Sequence, residues 1–547
     1  MRKVVIITGF VLASMLLTVC FAAKEAEVSK ESLSAKMESL FDSIYYLEDQ
    51  HTDDDAEWVA YKEGAAESIM AFMGEVARLV GGDEASKKRL GELDRQLDEL
   101  KSKLPLRLPA GPKGKGRFGA YYTRLKYNLE WDKLWKVSEQ ADVVVRFDDF
   151  DHRFVFWRGT SYIPCWATYD GAWLTNEFFE RRGGSRSGTS SMCEPMSDKQ
   201  TRYSHVRIVE SHDARVVVHW RYSPVDLDFQ QPYKDKLTGW GDCVDEYYTI
   251  YPDSIGVRNA KLYTSAPQDW IEYQESIVIN QPGTIPEENI EYEAVSFANL
   301  KGESKTYKWT EDGGPAFKGA PQEPCIQVVN FKAAHRPFTV VNPDGVRIKP
   351  YKGHGPGSHF NWWNHWPVAQ EKSDTTVAKS SEKPSHSSLS HIKWKPYEAG
   401  EQTRTWAMLH GMTDKPAGEL AMVGKSWLNA PKLKLIHGPL LGEPVFSSEG
   451  YDRLQRAYVL TCQRSEKPAA LQFELVASAD SPVVNPAFVI KGWGQQGVSL
   501  RIDGKNIKQG KDFRVGHRES LESIDVVIWV RAESKKPIRF TLTPKGG

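Results

Sequence analysis

A change of period near residue 118 constrains this chain more than any other feature. Beyond it, apolar residues fall in short blocks or alternate two by two: VVVRF (143–147), FVFW (154–157), VVVHWRY (216–222), EYYTIY (246–251) and IEYQESIVI (271–279). Alternation of this kind sends successive side chains to opposite faces of a strand, and the blocks are too short for buried helices. Turn signals separate them, and YPDS at 251–254 reads as a hairpin turn between two runs. The fold class read here is mainly β. Region 118–430 is too long for an immunoglobulin-sized sandwich, so it is expected to form one large two-sheet sandwich. From 431 to 547 the strand-like runs shorten, and RIDGKNI carries an Asp-Gly hairpin signal, which predicts a second, smaller C-terminal β-sandwich.

Upstream the period is helical. Leu33, Met37, Leu40, Phe41 and Ile44 form one stripe, and Ile69, Met70, Met73, Val76, Ala77 and Val80 form another, stopped by Gly81-Gly82. Leu90, Leu93, Leu97, Leu100 and Leu104 then repeat as a short heptad-like seam. Residues 30–104 are expected to be a helical segment without chemistry of its own. The Pro/Gly/Lys-rich run at 105–117 reads as a linker.

At the N-terminus Arg2 and Lys3 precede an apolar run, Val4 to Val19, and Cys20-Phe21-Ala22 gives a small-x-small pattern. This reads as a signal peptide over 1–22, and the mature protein is expected to be secreted or periplasmic. A lipidated Cys20 is the alternative. No other run is long and apolar enough for a membrane span. Export permits disulfides, but Cys165, Cys193, Cys243, Cys325 and Cys462 are too scattered to assign a pairing. The formal net charge of −1 argues against nucleic acid as a partner. Oligomeric state stays open.

The chain has no GxSxG elbow, HExxH, P-loop, EF-hand loop or dinucleotide fingerprint. A glycoside hydrolase stays open, because its two carboxylates have no fixed spacing; Asp148, Asp149, Asp242, Asp245 and Glu246 are candidates. Three stretches concentrate other functional groups. In DHRFVFWRGTSYIPCW (151–166), Phe154 and Phe156 share one strand face, and Arg158 and Tyr162 fall in the loop at its end. In EPMSDKQTRYSHVRIVESHDARVVVHWRY (194–222), Tyr203, His205 and Arg207 share one face, and His219 and Arg221 share a face of the returning strand. A one-residue slip at the turn decides whether the two faces coincide, and a solvated polar face is the alternative. In KGHGPGSHFNWWNHWPVAQ (352–370), Asn361, Asn364 and His365 suit an oxyanion or carboxylate, while Trp362, Trp363 and Trp366 suit the faces of sugars. One or two of these tryptophans could instead plug a core. His354, His359 and His365 lack the usual zinc spacing. No metal site and no cofactor are therefore called, although a structural metal ion stays conceivable.

These residue types suit β-elimination of a uronate, where a cation or amide neutralises the C6 carboxylate, a base removes the C5 proton and an acid protonates the leaving oxygen. FVFWRGTSYIPCW, EPMSDKQTRYSHVRIVESHDARVVVHWRY, GWGDCVDEYYTIYPDSIGVR, QESIVINQPGT and WWNHWPVAQ together resemble a group of exported bacterial β-sandwich proteins that degrade acidic marine polysaccharides, some of them ulvan lyase-like. The resemblance covers roughly 118–545 and implies a galactose-mutarotase-like large sandwich followed by a small one. It supplies no site residues. The expectation is a polysaccharide lyase acting on a uronate-containing, sulfated glycan, with an anionic polysaccharide as partner. His205 would be the base and Tyr203 or Tyr162 the acid. Arg158, Arg207, or Asn364 with His365, would hold the carboxylate, and Arg202 and Arg221 would hold sulfate. A glycoside hydrolase on the same scaffold and a non-catalytic glycan-binding protein are the alternatives.

Overall fold

The computed structural model describes residues 28–48, 51, 55–80, 82–134, 140–176, 178–269, 274–351, 358–363, 384–436, 445–463 and 470–545. The leader expected over 1–22 lies outside them, as do His354, Asn364, His365 and Trp366. The chain forms two compact units, Met1–Leu106 with Asn128–Lys133, and Arg107–Tyr127 with Leu134–Gly547.

Among its described residues the first unit holds three long helices, α1 (Lys30–Leu47), α2 (Ala56–Arg78) and α3 (Glu84–Ser102), and most of a short one at Leu129–Leu134. Each begins on a side-chain cap: Ser29 in a capping box with Ser32, Asp55 accepting from the Trp58 N–H, and Asp83 accepting from the Ser86 N–H. Leu33, Met37, Leu40 and Ile44 pack with Trp58, Ile69, Val76, Leu90, Leu93 and Leu97. The second expected stripe is only partly right. Trp58, Ala65, Ile69 and Val76 are the buried positions of α2, while Met70, Met73 and Val80 face outward. No helix among the described residues is long and apolar enough to cross a membrane.

Among the described residues of the second unit the large sandwich has eighteen strands. In chain order they are β1 (Gly119–Thr123), β2 (Asp142–Arg146), β3 (Arg153–Phe156), β4 (Pro164–Ala167), β5 (Trp173–Thr175), β6 (His205–His212), β7 (Arg215–Tyr222), β8 (Cys243–Ile250) and β9 (Ile255–Tyr263). They continue as β10 (Gln274–Asn280), β11 (Ile290–Ala298), β12 (Ser304–Tyr307), β13 (Ile326–Phe331), β14 (Arg336–Val340), β15 (Arg347–Pro350), β16 (Ser385–Lys393), β17 (Glu398–Ala399) and β18 (Thr403–Thr413). One sheet runs β1-β2-β3-β4-β5-β10-β16-β15; the other runs β12-β11-β13-β14-β18-β9-β8-β7-β6, with β17 on β18. Phe154, Phe156 and Trp166 of the first sheet meet Tyr248 and His410 of the second. The Trp166 indole N–H donates to His410 Nδ1 at 3.0 Å. Strand alternation then sets the outward residues: Glu275 and His391 on the first sheet, and His205, His219 and Asp245 on the second.

An ion cluster lies between the sheets. Glu246 accepts from Arg258 Nε and Nη2 at 2.8 Å each, from the Tyr222 hydroxyl at 2.9 Å and from the Tyr248 hydroxyl at 2.5 Å. The Pro/Gly-rich stretch before β1 is packed on the sandwich. The Arg153 guanidinium donates to the Pro112 carbonyl, and the Leu108 N–H donates to Gln281.

The small C-terminal sandwich stacks two five-stranded sheets on a core of Phe473, Phe488, Trp493 and Phe540. Its Asp503-Gly504 turn joins paired strands, with φ of +47° and +81°. A Cβ at Gly504 would meet no atom within 4 Å, so Gly504→Ala is strained by backbone conformation alone. It is expected to cost about 1–2 kcal/mol in urea unfolding. No disulfide links the five described cysteines.

Candidate active site

A group of displaced titratable residues gathers at one end of β10 and β16. Glu275 lies opposite His391 across these strands, and Lys349 of β15 lies opposite His391 on its other side. All three point away from the sandwich interior, because their neighbours Ser276 and Ser390 point inward and hydrogen-bond Gln327 of the other sheet. Glu275 Oε1 stands 3.8 Å from His391 Nε2.

Two more carboxyls come from the long connection between β5 and β6. Arg181 and Cys193 form an antiparallel bridge, with N–H···O distances of 3.0 and 2.8 Å in the two directions. Glu180 and Glu194 are the next residues outward on the two arms, so antiparallel geometry sets them opposite each other. Their carboxyls are hydrogen-bonded to one another. The sandwich interior fixes the approach to this pair: Arg258 donates to the Asn176 carbonyl and the Tyr222 hydroxyl accepts from the Phe179 N–H at 2.9 Å. The ion cluster between the sheets thus sets the position of Glu180.

Burial decides the protonation of these groups. It pushes Glu194 well above the usual carboxylate range, and the nearby Glu180 and Glu275 charges push it further. Burial also raises Glu180, which the hydrogen bond with Glu194 partly offsets. Burial raises Glu275 to about 7, against a hydrogen bond from Ser388, and the Glu180 charge adds to the rise. His391 is pushed down to about 4 by burial and by the Lys349 ammonium. A Glu275–His391 ion pair would hold the same single proton as the neutral pair. The neutral form wins because 3.8 Å is too long for the hydrogen bond that would offset desolvating two charges. Near neutral pH the cluster therefore holds an uncharged imidazole, a proton held by the Glu180–Glu194 pair, and a Glu275 carboxyl in mid-titration.

Aromatic groups wall this end. Tyr351 follows β15, its N–H donating to the Leu389 carbonyl at 2.8 Å and its ring 5.1 Å from that of His391. Burial, then the Glu275 charge, raise the Tyr351 phenol, so it keeps its proton. Trp363 bridges to the backbone of His386, stacks on its ring at 5.3 Å and meets Tyr351 edge-on at 6.0 Å.

The residues expected from sequence separate into groups. Trp363 reaches this site, and Asn361 lies just before it, half-buried. Trp362 is 2% exposed and plugs the core. His359 is held by Glu287 and packs on Tyr292 at 4.5 Å. Arg158 and Tyr162 require correction. Arg158 is 1% exposed and forms an ion pair with Asp142, which also accepts from its backbone N–H; Tyr162 is 0% exposed. Neither side chain is open to a polymer. His205, Arg207, His219 and Arg221 do share one face, but on the other sheet, pointing away from the opposite side of the sandwich. Tyr203 and Arg202 precede that strand, and both backbone N–H groups donate to Asp198.

The carboxylates weighed for a hydrolase are engaged or enclosed: Asp148 and Asp149 pair with Arg514 and Arg531 of the small sandwich, Asp242 and Glu246 are buried, and Asp245 holds His219 and Arg221. Sequence reasoning missed Glu180, Glu194, Glu275, Tyr351, His386 and His391. One signal was present: SHSSLSH (385–391) is a strand with polar residues on both faces, which needs partners on both sides. Among the described residues no three His, Cys, Asp or Glu side chains are placed to hold a metal ion.

No protein-family model matches the chain, and no curated protein matches it in sequence. Among solved structures it is similar to a galactose 1-epimerase from Lactobacillus acidophilus, with 8% identity, 54% of this chain and 99% of that one covered, and a TM-score of 0.25. It is also similar to a heparan sulfate lyase from Pedobacter heparinus, with 9% identity, 79% and 66% covered, and a TM-score of 0.24. A xanthan lyase from Paenibacillus aligns at 8% identity, with 94% and 44% covered and a TM-score of 0.24. The chain thus spans less than two thirds of the length of either lyase.

Proposed function

We propose that this protein is a polysaccharide lyase that cleaves a uronate-containing glycan by β-elimination at the β10–β16 site. The observation that carries the reading is the neutral His391 imidazole on the strand face of Glu275, in a cluster where the Glu180–Glu194 pair retains a proton. β-Elimination needs both at once. A neutral imidazole removes the C5 proton. A carboxylic acid donates a hydrogen bond to the substrate's C6 carboxylate and stabilises the charge that develops there. The electron pair from the C5–H bond becomes the C4–C5 double bond, and the C4–O bond breaks. The Tyr351 phenol, still protonated, gives its proton to the leaving oxygen. Trp363 offers a ring face to a neighbouring sugar. The scheme uses no cofactor. Sulfation of the glycan, implied by the resemblance, is the finer expectation.

A glycoside hydrolase is the second reading, favoured by the presence of paired carboxyls. Its two carboxyls flank the scissile bond at roughly 5–10 Å, whereas Glu180 and Glu194 touch and act as one proton-sharing unit. A panel of uronate glycans separates the readings. The lyase yields a product with the ultraviolet absorbance of a conjugated uronate. New reducing ends without that absorbance sink the lyase and favour the hydrolase.

The same groups set a pH dependence. His391 must be unprotonated, so kcat/KM rises as pH passes upward through about 4. The acid carboxyls must be protonated, so kcat/KM falls as pH passes about 7, where Glu275 deprotonates and adds its charge beside the Glu180–Glu194 pair. The expected profile is a bell with its optimum on the acid side of neutrality. A profile still rising above pH 8 would contradict this assignment.

A further inference from the structure

The outward face of β6–β9 collects charged and aromatic side chains in register. Cross-strand pairing puts His205, Arg221, Asp245 and Lys261 in one row, and Arg207, His219, Tyr247 and Asn259 in the next. Three fixed cations thus share the face with one carboxylate, in a chain of formal net charge −1. Asp245 is engaged from two sides, by His219 Nε2 at 2.6 Å and by Arg221 Nη1 at 3.2 Å. His219 in turn accepts from Arg207 Nε through Nδ1 at 3.1 Å, which fixes its tautomer with Nε2–H toward Asp245. The His219 ring stacks on Tyr247 at 4.5 Å. This chain of contacts orients Arg207 and spends only its Nε donor, so its terminal nitrogens stay available. Arg207 is exposed and Arg221 is 44% exposed. Lys261 lies over the Tyr263 ring, and Tyr263 is 38% exposed.

Across β6 to β9 the strip spans three interstrand steps, roughly 14 Å. Preoriented guanidinium groups beside half-exposed tyrosine rings match a ligand that alternates oxyanions with flat C–H faces. We propose that this strip is a second binding surface for an acidic polysaccharide, holding a stretch of chain outside the catalytic site by its carboxylate or sulfate groups. The proposal rests on the acidic-glycan reading above but not on the elimination chemistry. The two sites face away from opposite sides of the sandwich, so the strip acts in capture of the polymer and not in bond cleavage.

The test is native affinity electrophoresis in gels cast with polygalacturonate, dextran sulfate or neutral dextran. His391→Gln serves as the parent, so that turnover does not destroy the matrix. The parent is expected to be retarded by at least one of the two anionic polymers and not by dextran. Which polymer works distinguishes carboxylate from sulfate recognition. Arg207→Gln/Arg221→Gln should weaken retardation more than fivefold, while Arg207→Lys/Arg221→Lys keeps part of it. Retardation of the Gln pair equal to the parent's overturns the proposal. So does equal retardation by dextran, or equal retardation by single-stranded DNA, which would show unspecific polyanion adsorption. Retardation of this kind in a protein whose wild type never releases unsaturated product keeps the strip and sinks the lyase, so the two failures are distinguishable.

Discussion

His391→Gln is expected to lower kcat on the uronate glycan by roughly 100- to 10,000-fold, the usual worth of a positioned general base. The variant keeps a polar group of similar size opposite Glu275, so β10 and β16 should pair as before and the far-ultraviolet circular dichroism should not change. The acid limb of the pH profile, assigned to His391, should vanish from what activity remains. Glu275→Gln supplies the contrast. It removes a titrating group and retains a donor, so it should cost much less in kcat and take the Glu275 step out of the alkaline limb, leaving that limb to the Glu180–Glu194 pair. Wild-type kcat in His391→Gln, with an unchanged acid limb, would remove His391 from the chemistry. A loss of activity with no change in either limb would make it a positioning residue.

The fold was legible because its signals are local. VVVRF, FVFW and VVVHWRY alternate or run apolar over the lengths of β2, β3 and β7, and Asp503-Gly504 announces its hairpin. The β6–β7 face was legible for the same reason. His205, Arg207, His219 and Arg221 lie within one hairpin, whose register His205↔Arg221 puts all four on one side. The β10–β16 site was not. Glu180, Glu194, Glu275 and His391 come from segments more than two hundred residues apart at the extremes, and β5, β10 and β16 become neighbours only through crossovers that no local pattern encodes. Burial misled in the other direction. Arg158 and Tyr162 read as loop residues at a strand end, yet that loop folds inward, where Asp142 compensates the buried guanidinium. Charge type alone does not separate an arginine that binds ligand from one that neutralises a buried carboxylate.

Glu246→Ala should destabilise the large sandwich by about 3–5 kcal/mol, because it leaves the Arg258 guanidinium buried without its carboxylate. Arg258 is 2% exposed and cannot reach water without opening the space between the sheets. The Tyr222 and Tyr248 hydroxyls lose their acceptor in the same step. The midpoint of urea unfolding should fall accordingly. The consequence extends to the site, since Arg258 and Tyr222 also hold Asn176 and Phe179 on the way to Glu180. The double variant Glu246→Leu/Arg258→Met separates the two roles. Removing both charges together takes away the desolvation cost along with the pairing, so most of the lost stability should return. Activity should lag behind, because the Asn176 carbonyl has lost its donor and only the Tyr222–Phe179 contact still guides the approach to Glu180. Recovery of stability and kcat together would show that the ion cluster supports the fold only. Stability without kcat would show that a charge pair between the sheets is kept because it aims a carboxyl at the end of the sandwich.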